Sequence, residues 1–461
     1  MGRRPTARDG RPTVVWRLFD AGTNISCGLD DTTAECDACG FGDTAPDCVL
    51  RRRLLDGDGQ GFAPGAPLAA MGCFEGFRCA DCGATAPAVA ATRCGACGGV
   101  LEGSYDLDGG VPSRETVAER TGGWLLPELL PVAPVELGEG ATPLVEAPRV
   151  ADELDVASLH VKDEGHNPTG SVADRGLALV AAAAADRGAP GLALASTGVD
   201  GQSAAAYAAR AGLDARVVVP SRASFVTKAM INVHGGDMRV VEGRFDDARA
   251  AHAAERDDHP AESDARFSAG PFESPYRHEG VKSVYHEIVE TLAWRVPDAV
   301  VVPVGHGTVP VGVRSGAREL DAAGLVDGTP RVYAAQPAGC TPIVEALTGG
   351  RAPEPIDHPD TVVGALEVPD PAGGRSAVEA VRASGGAGVA VDDEDALDAA
   401  ATVAHHEGLE LGVAGGVAAA GAWTLRENGE IAGNDTVVLL NPVAGTKDAD
   451  VVRSRLMGRG L

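Results

Sequence analysis

Lysine is nearly missing from this chain. Lys162, Lys228, Lys282 and Lys447 are the only four in 461 residues, and arginine supplies the other basic charge. Acidic residues outnumber basic ones, 66 to 39, giving a formal charge of −27. They are spread along the chain rather than gathered in a tail. Such a surface excludes nucleic acid and anionic membranes as partners, because both repel it. Dispersed acid with scarce lysine fits a halophilic protein, in which salt screens the self-repulsion. A genome rich in arginine codons gives the same bias. Aromatic residues are only 4% of the chain. Ala, Val and Gly must therefore fill the interior, as in the closely packed helices and strands of an α/β protein.

Long apolar runs are missing too. The longest, LGVAGGVAAAGAWTL from Leu411 to Leu425, is too short to span a bilayer and reads as a buried helix. The opening residues carry charge but no apolar run of the length a secretory signal needs. A cytoplasmic protein is expected. Its ten cysteines then read as metal ligands or free thiols rather than disulfides.

The length suits roughly two to four domains with a large core. Residues 1–70 differ from the rest. They show little periodicity, lack lysine and end in the loop-like GDGQGFAPGAP. They read as a dispensable, disordered extension or as a misassigned start, with Met71 opening the folded chain. Cys27, Cys36, Cys39 and Cys48 are a weak candidate for a metal site of their own.

From Cys79 the pattern changes. Cys79 and Cys82 form one CxxC knuckle, and Cys94 and Cys97 form another after eleven intervening residues. Two knuckles place four thiolates around one tetrahedral Zn²⁺, with Zn–S about 2.3 Å. Gly83 and Gly98 follow the pairs and permit the tight turns. Four Cys ligands leave no open position, so the metal is structural. A zinc ribbon is expected over 71–107, and then a linker rich in Pro and acid over 108–136.

Strand and helix patterns alternate beyond it. SLHVK, LALAS, ARVVVP, MRVVE, AVVVPVG, VYAAQ and TVVLLNP read as strands. Helices are expected from about Val172, from about Gln202, after Ser224, through the 280s and near Ala377–Ala383. This alternation predicts parallel sheet with covering helices over 137–456, with a smaller subdomain inserted at about 175–275.

Several segments resemble one family. KDEGHNPTGSVADRG, from Lys162 to Gly176, resembles the KDEG-x-NPTGSFKDRG of threonine synthase and its pyridoxal 5'-phosphate (PLP) dependent relatives. LGEGATPL (Leu137–Leu144) resembles LGEGGTPL, and STGVDGQS (Ser196–Ser203) resembles STGNAGQS. Lys228–Ile231, YRHEGVK (Tyr276–Lys282) and Lys447–Asp450 are similar to family segments as well. The resemblance implies the two-domain tryptophan synthase β-like fold, known as fold type II. It also implies the conversion of O-phosphohomoserine and water to threonine and phosphate, a lyase-type step of amino-acid biosynthesis.

The cofactor contacts implied by the resemblance are altered one by one. The Schiff-base lysine of SFKDRG stands as Ala173, behind Ser171. The Asn that approaches the cofactor's 3'-oxygen stands as Val199, though Ser196, Thr197 and Gly198 remain. Those three make either a carboxylate cradle or an ordinary helix cap. The glycine run that cradles the phosphate has become Gly305, His306, Gly307 and Thr308, with Pro310 removing an N–H. The hydroxyl for the pyridine nitrogen is absent from the segment around Pro442. No lysine looks relocated, so no catalytic residue is assigned.

These losses predict a threonine synthase homologue without covalent PLP, acting as a regulatory or structural paralogue. It is expected as a homo-dimer, or as a hetero-dimer with an active paralogue. Two alternatives stay open: a PLP-free binder of a small anionic amino acid or phosphate, and an enzyme that remains active despite the losses.

Overall fold

The computed structural model describes Leu18–Asp20, Thr23–Ile25 and residues 72–458, apart from 87–91, 109 and 259–264. The chain divides into two units, Met1–Ala63 and Pro64–Leu461. In the first, β1 (Leu18–Asp20) pairs antiparallel with β2 (Thr23–Ile25). Cys27, Cys36, Cys39, Cys48 and Met71 lie outside the described residues.

The second unit opens with a small antiparallel sheet. β3 (Phe74–Cys79) lies between β4 (Thr85–Ala86) and β5 (Leu101–Tyr105). Phe77 and Leu101 are buried, and the Phe77 ring meets Tyr276 edge-on at 5.5 Å. The stretch expected as a linker is instead part of the body. Val117, Leu125, Leu126, Leu129 and Leu130 are all buried. Its Pro and acid content hid a run of leucines that pays its ordering cost through burial.

Two sheets follow. One has six strands in the order β14-β13-β12-β15-β7-β6. These are β6 (Leu144–Glu146), β7 (Ser158–Asp163), β12 (Ala299–Pro303), β13 (Arg331–Pro337), β14 (Gly388–Val391) and β15 (Thr436–Asn441). All neighbours are parallel except β6 with β7. Every residue of β12, AVVVP, is buried, because a parallel strand covered on both faces needs an unbroken apolar run. The other sheet is wholly parallel, in the order β10-β9-β8-β11. It comprises β8 (Gly191–Ala195), β9 (Asp214–Pro220), β10 (Asp237–Val241) and β11 (Phe267–Ser268). The α/β architecture is therefore as the sequence patterns imply. No helix among the described residues is long and apolar enough to cross a membrane.

The helix Ala173–Asp186 is buried from Ala173 through Ala184. Its alanines allow close contact with the short helix Tyr276–Val281. The two meet at Gly176 and Gly280, where a β-carbon on Gly176 would stand 2.6 Å from the Arg277 carbonyl oxygen and one on Gly280 would strike that of Arg175. This contact sets Arg277 beside the start of the helix that carries Ala173. The helix expected from Gln202 begins at Val199 and runs to Ala211. The pattern through the 280s resolves into two helices, Tyr276–Val281 and Ser283–Thr291.

Candidate functional site

The run from Lys162 to Gly176 folds into a buried charge cluster. Arg175 reaches Glu164 at 2.6 and 2.8 Å and Glu287 at 2.6 and 2.8 Å, forking between two carboxylates. Lys162 donates to Glu287 at 2.6 Å and to the Thr142 carbonyl at 2.7 Å. Arg175, Lys162 and Glu164 are fully buried. The paired cations hold the Glu287 carboxyl down at about 2, against burial that would raise it. Asn167 donates to Glu164 at 2.7 Å and accepts from Gly140 at 2.9 Å. Asp174 accepts from Thr169 at 2.6 and 2.7 Å and from Ser203 at 2.5 Å. The KDEG, NPTG and DRG residues thus tie the chain together.

Ala173 begins the helix above this cluster and lines a cavity of about 110 Å³. Ser171, Ser196, Thr197, Val199, Gly305, His306, Gly307, Thr308 and Pro442 all line it, so the structure gathers these candidates in one place. Gly198 is the cap residue before the helix Val199–Ala211, and the helix Thr308–Ala322 starts at the same cavity. Most of the wall is apolar, with Val172, Val281, Val304, Leu366 and Val443.

The polar candidates are largely spent on the protein's own backbone. Ser196 Oγ accepts from the N–H groups of Gly198 and Gly201, both at 2.9 Å, which makes it a turn and cap residue. Ser171 Oγ accepts from the N–H of Ala173 at 3.1 Å. The His306 ring packs edge-on against Phe245 with centroids 5.2 Å apart. Burial pushes its imidazole down to about 4, so at neutral pH it carries no charge to attract an anion. Pro310 occupies the third position of its helix and removes one of the free N–H groups there. The Pro442 carbonyl accepts from Val172 at 2.9 Å, and Asn441 is turned to Asp163 and Gly412. No hydroxyl comes to the cavity from this segment.

None of the four lysines lines the cavity. Lys162 is paired as above. Lys228 donates to the Ser221 carbonyl at 2.7 Å, and Lys282 binds Glu279 and Glu319 at 2.8 and 2.9 Å. Lys447 donates to Gln202 Oε1 at 2.5 Å and lines a neighbouring cavity of about 320 Å³. Burial brings the Lys447 amine down to about 8.

The sequence patterns did not single out one pair at this site. Asp200 and Arg277 both line the cavity and join at 2.7 Å. The available sign was an acid in STGVDGQS where the similar family motif has alanine.

A larger cleft of about 880 Å³ between the ribbon and the helix Thr308–Ala322 shares no wall with this cavity. In the ribbon itself, the Sγ atoms of Cys79, Cys82, Cys94 and Cys97 all lie within 4.8 Å of one another. Cys79 and Cys97 are 3.5 Å apart and Cys82 and Cys94 are 3.6 Å apart. Four sulfurs at about 2.3 Å from a tetrahedral metal would be roughly 3.8 Å apart. Gly83 and Gly98, at φ +70 and +74, close the two knuckles by donating to the Cys79 and Cys94 carbonyls. The cluster can hold a metal ion.

A family model described as pyridoxal-phosphate dependent enzyme matches residues 135–442. The threonine synthase of Methanosarcina acetivorans is 33% identical over 383 residues, covering 82% of this chain and 93% of that protein. That of Methanocaldococcus jannaschii is 34% identical over 383 residues, covering 81% and 93%. That of Mycobacterium leprae is 36% identical over 318 residues, covering 69% and 84%. Among solved structures, a fungal L-serine ammonia-lyase from Rhizomucor miehei matches with a TM-score of 0.58 at 21% identity, covering 68% of this chain and 98% of that one. The processed form of threonine deaminase isoform 2 from Solanum lycopersicum matches with a TM-score of 0.57 at 21% identity, covering 68% and 82%. These two likenesses show the fold.

Proposed function

We propose, on the premise that this chain belongs to the family of pyridoxal-phosphate dependent enzymes and is a homologue of threonine synthase, that it keeps the family scaffold and has given up covalent PLP chemistry. One observation carries this reading: the cavity at Ala173 is lined by no lysine, and every lysine of the chain is engaged elsewhere. An amine is needed both to hold the cofactor aldehyde and to move protons. The rest of the pocket argues the same way. The cavity at Ala173 is itself only about 110 Å³, and the larger adjoining space of about 320 Å³ meets it at Thr197, Val199 and Ala365, away from Ala173. His306 fills part of the phosphate loop, and no hydroxyl stands near Pro442. The residues present do not fit the cofactor. Loss of one contact could be a local accident; here the amine, ring, phosphate and pyridine contacts are all changed while the buried Arg175 cluster persists.

The corresponding role is that of a non-catalytic paralogue or regulatory partner. It would act as a homo-dimer or as a hetero-dimer with an active threonine synthase. The test is whether PLP becomes attached: no borohydride-reducible imine is expected on any lysine. A second reading, a binder of a small anion such as an amino acid or phosphate, is favoured by the two helix N-termini and Arg277 at the cavity.

We also propose that the four-cysteine cluster holds structural zinc. Metal analysis of the purified protein should give about one zinc per chain. Cys82→Ser should lose that zinc, and retention of the full amount would contradict the assignment.

A further inference from the structure

We propose that the cavity at Ala173 is a site for a small α-amino acid held as a zwitterion, with Asp200 receiving the ammonium group and Arg277 the carboxylate. The inference rests on the PLP-free reading above and adds the class of ligand and the two residues that would recognise it.

Arg277 is buried, with a side chain 4% exposed. One of its terminal nitrogens donates to the Ala269 carbonyl at 2.9 Å and the other to Asp200 at 2.7 Å. Its Nε is buried without an acceptor. The first turns of the helices Val199–Ala211 and Thr308–Ala322 add partial positive charge at the same cavity. Everything here favours an anion except Asp200. That carboxylate is a gain relative to the alanine of the similar family motif, and it stands in the first turn of the helix beside Val199.

The pair selects among ligands. A simple anion taken by the same terminal nitrogen of Arg277 would displace Asp200 and leave it without that partner. A simple cation would do the reverse. Either outcome leaves a charge without its partner, which is costly for Arg277 at 4% exposure and less so for Asp200 at 26%. A zwitterion inserts between the two and satisfies both. The chemistry of the fold gives the same answer. A PLP enzyme takes up its substrate's amine as a covalent imine. With no cofactor that amine stays a charged ammonium and needs an acceptor. Asp200 supplies one.

Size sets the rest. About 110 Å³ holds only a few heavy atoms beyond the charged groups. The wall of Val199, Val281, Val304, Val309 and Leu366 suits a short side chain. Amino acids from glycine to threonine are the expected class.

The test uses L-alanine as probe and isothermal titration as readout, with propionate and ethylamine as the single-charge analogues. Wild-type protein should bind L-alanine at least about tenfold more tightly than either analogue, the loss expected for one charge-assisted hydrogen bond. Asp200→Ala and Asp200→Asn should each weaken L-alanine by a similar factor and improve propionate, because Arg277 is released. Two variants guard against one of them failing to fold. Propionate binding as well as L-alanine in the wild type would make this an anion site and overturn the proposal. No heat from glycine, alanine, serine or threonine would show the Asp200–Arg277 pair to be structural only, which also overturns it. Either failure leaves the absence of a PLP imine untouched. A reducible imine on the wild-type protein would instead remove the PLP-free reading itself.

Discussion

Ala173→Lys is expected to form no detectable threonine from O-phosphohomoserine in the presence of PLP. The substitution returns an amine to the head of the helix Ala173–Asp186 but changes nothing else. Val199 still offers no polar atom to the ring. His306, pressed against Phe245, still occupies the loop where bare glycine backbone would meet a phosphate. Pro310 still lacks an N–H, and the Pro442–Val443 segment still brings no hydroxyl. Asp200 holds Arg277 at 2.7 Å and so occupies a cation of the cavity that could otherwise meet the anionic cofactor. Phosphate release and threonine formation are the readouts. Robust turnover by this single variant would show that the other contacts matter little.

Arg175→Ala should cost about 3–5 kcal/mol of stability, enough to unfold a marginal domain. The guanidinium is fully buried and bridges Glu164 and Glu287 through four contacts. Its removal leaves two buried carboxylates with Lys162 as their remaining cationic partner. Arg175→Lys should recover only part of the loss, because an ammonium cannot reproduce the planar fork that reaches both partners. Denaturant midpoints measured at one salt concentration check this. A loss below about 1 kcal/mol, the range of an exposed pair, would mean the cluster does not hold the fold.

The buried Arg175 cluster is legible in the sequence only as a motif. The most informative segment, Lys162 to Gly176, looks catalytic because it resembles a catalytic motif. Most of its residues in fact serve burial, pairing with one another around Arg175. The central strands were legible because β12 and β15 must be apolar on both faces. Several helices were not. Thr308–Ala322 contains Pro310, Gly312 and Gly316, and Phe245–Asp258 is mostly polar. The first carries residues that break or weaken helices, and the second buries only Phe245, Ala248 and His252, too few apolar positions for a clear period. The packed stretch between the ribbon and the sheets was hidden for the opposite reason, since its prolines and acids outweighed its leucines in a reading of composition. At the site, Ala173, Val199 and His306 could be found by motif. The Asp200–Arg277 pair could not, because its members are 77 residues apart and lie on two different helices.

The central claim is that this threonine synthase homologue does not attach PLP. The most direct measurement is the absorbance of the purified full chain with added PLP, followed by borohydride reduction and peptide mass mapping of all four lysines. The account predicts no imine band above that of free PLP and no pyridoxyl-labelled peptide containing Lys162, Lys228, Lys282 or Lys447. A reducible band with stoichiometric label on one lysine would contradict it, and Lys447, the amine that burial brings down to about 8 beside the adjoining cavity, is where that contradiction would be sought first.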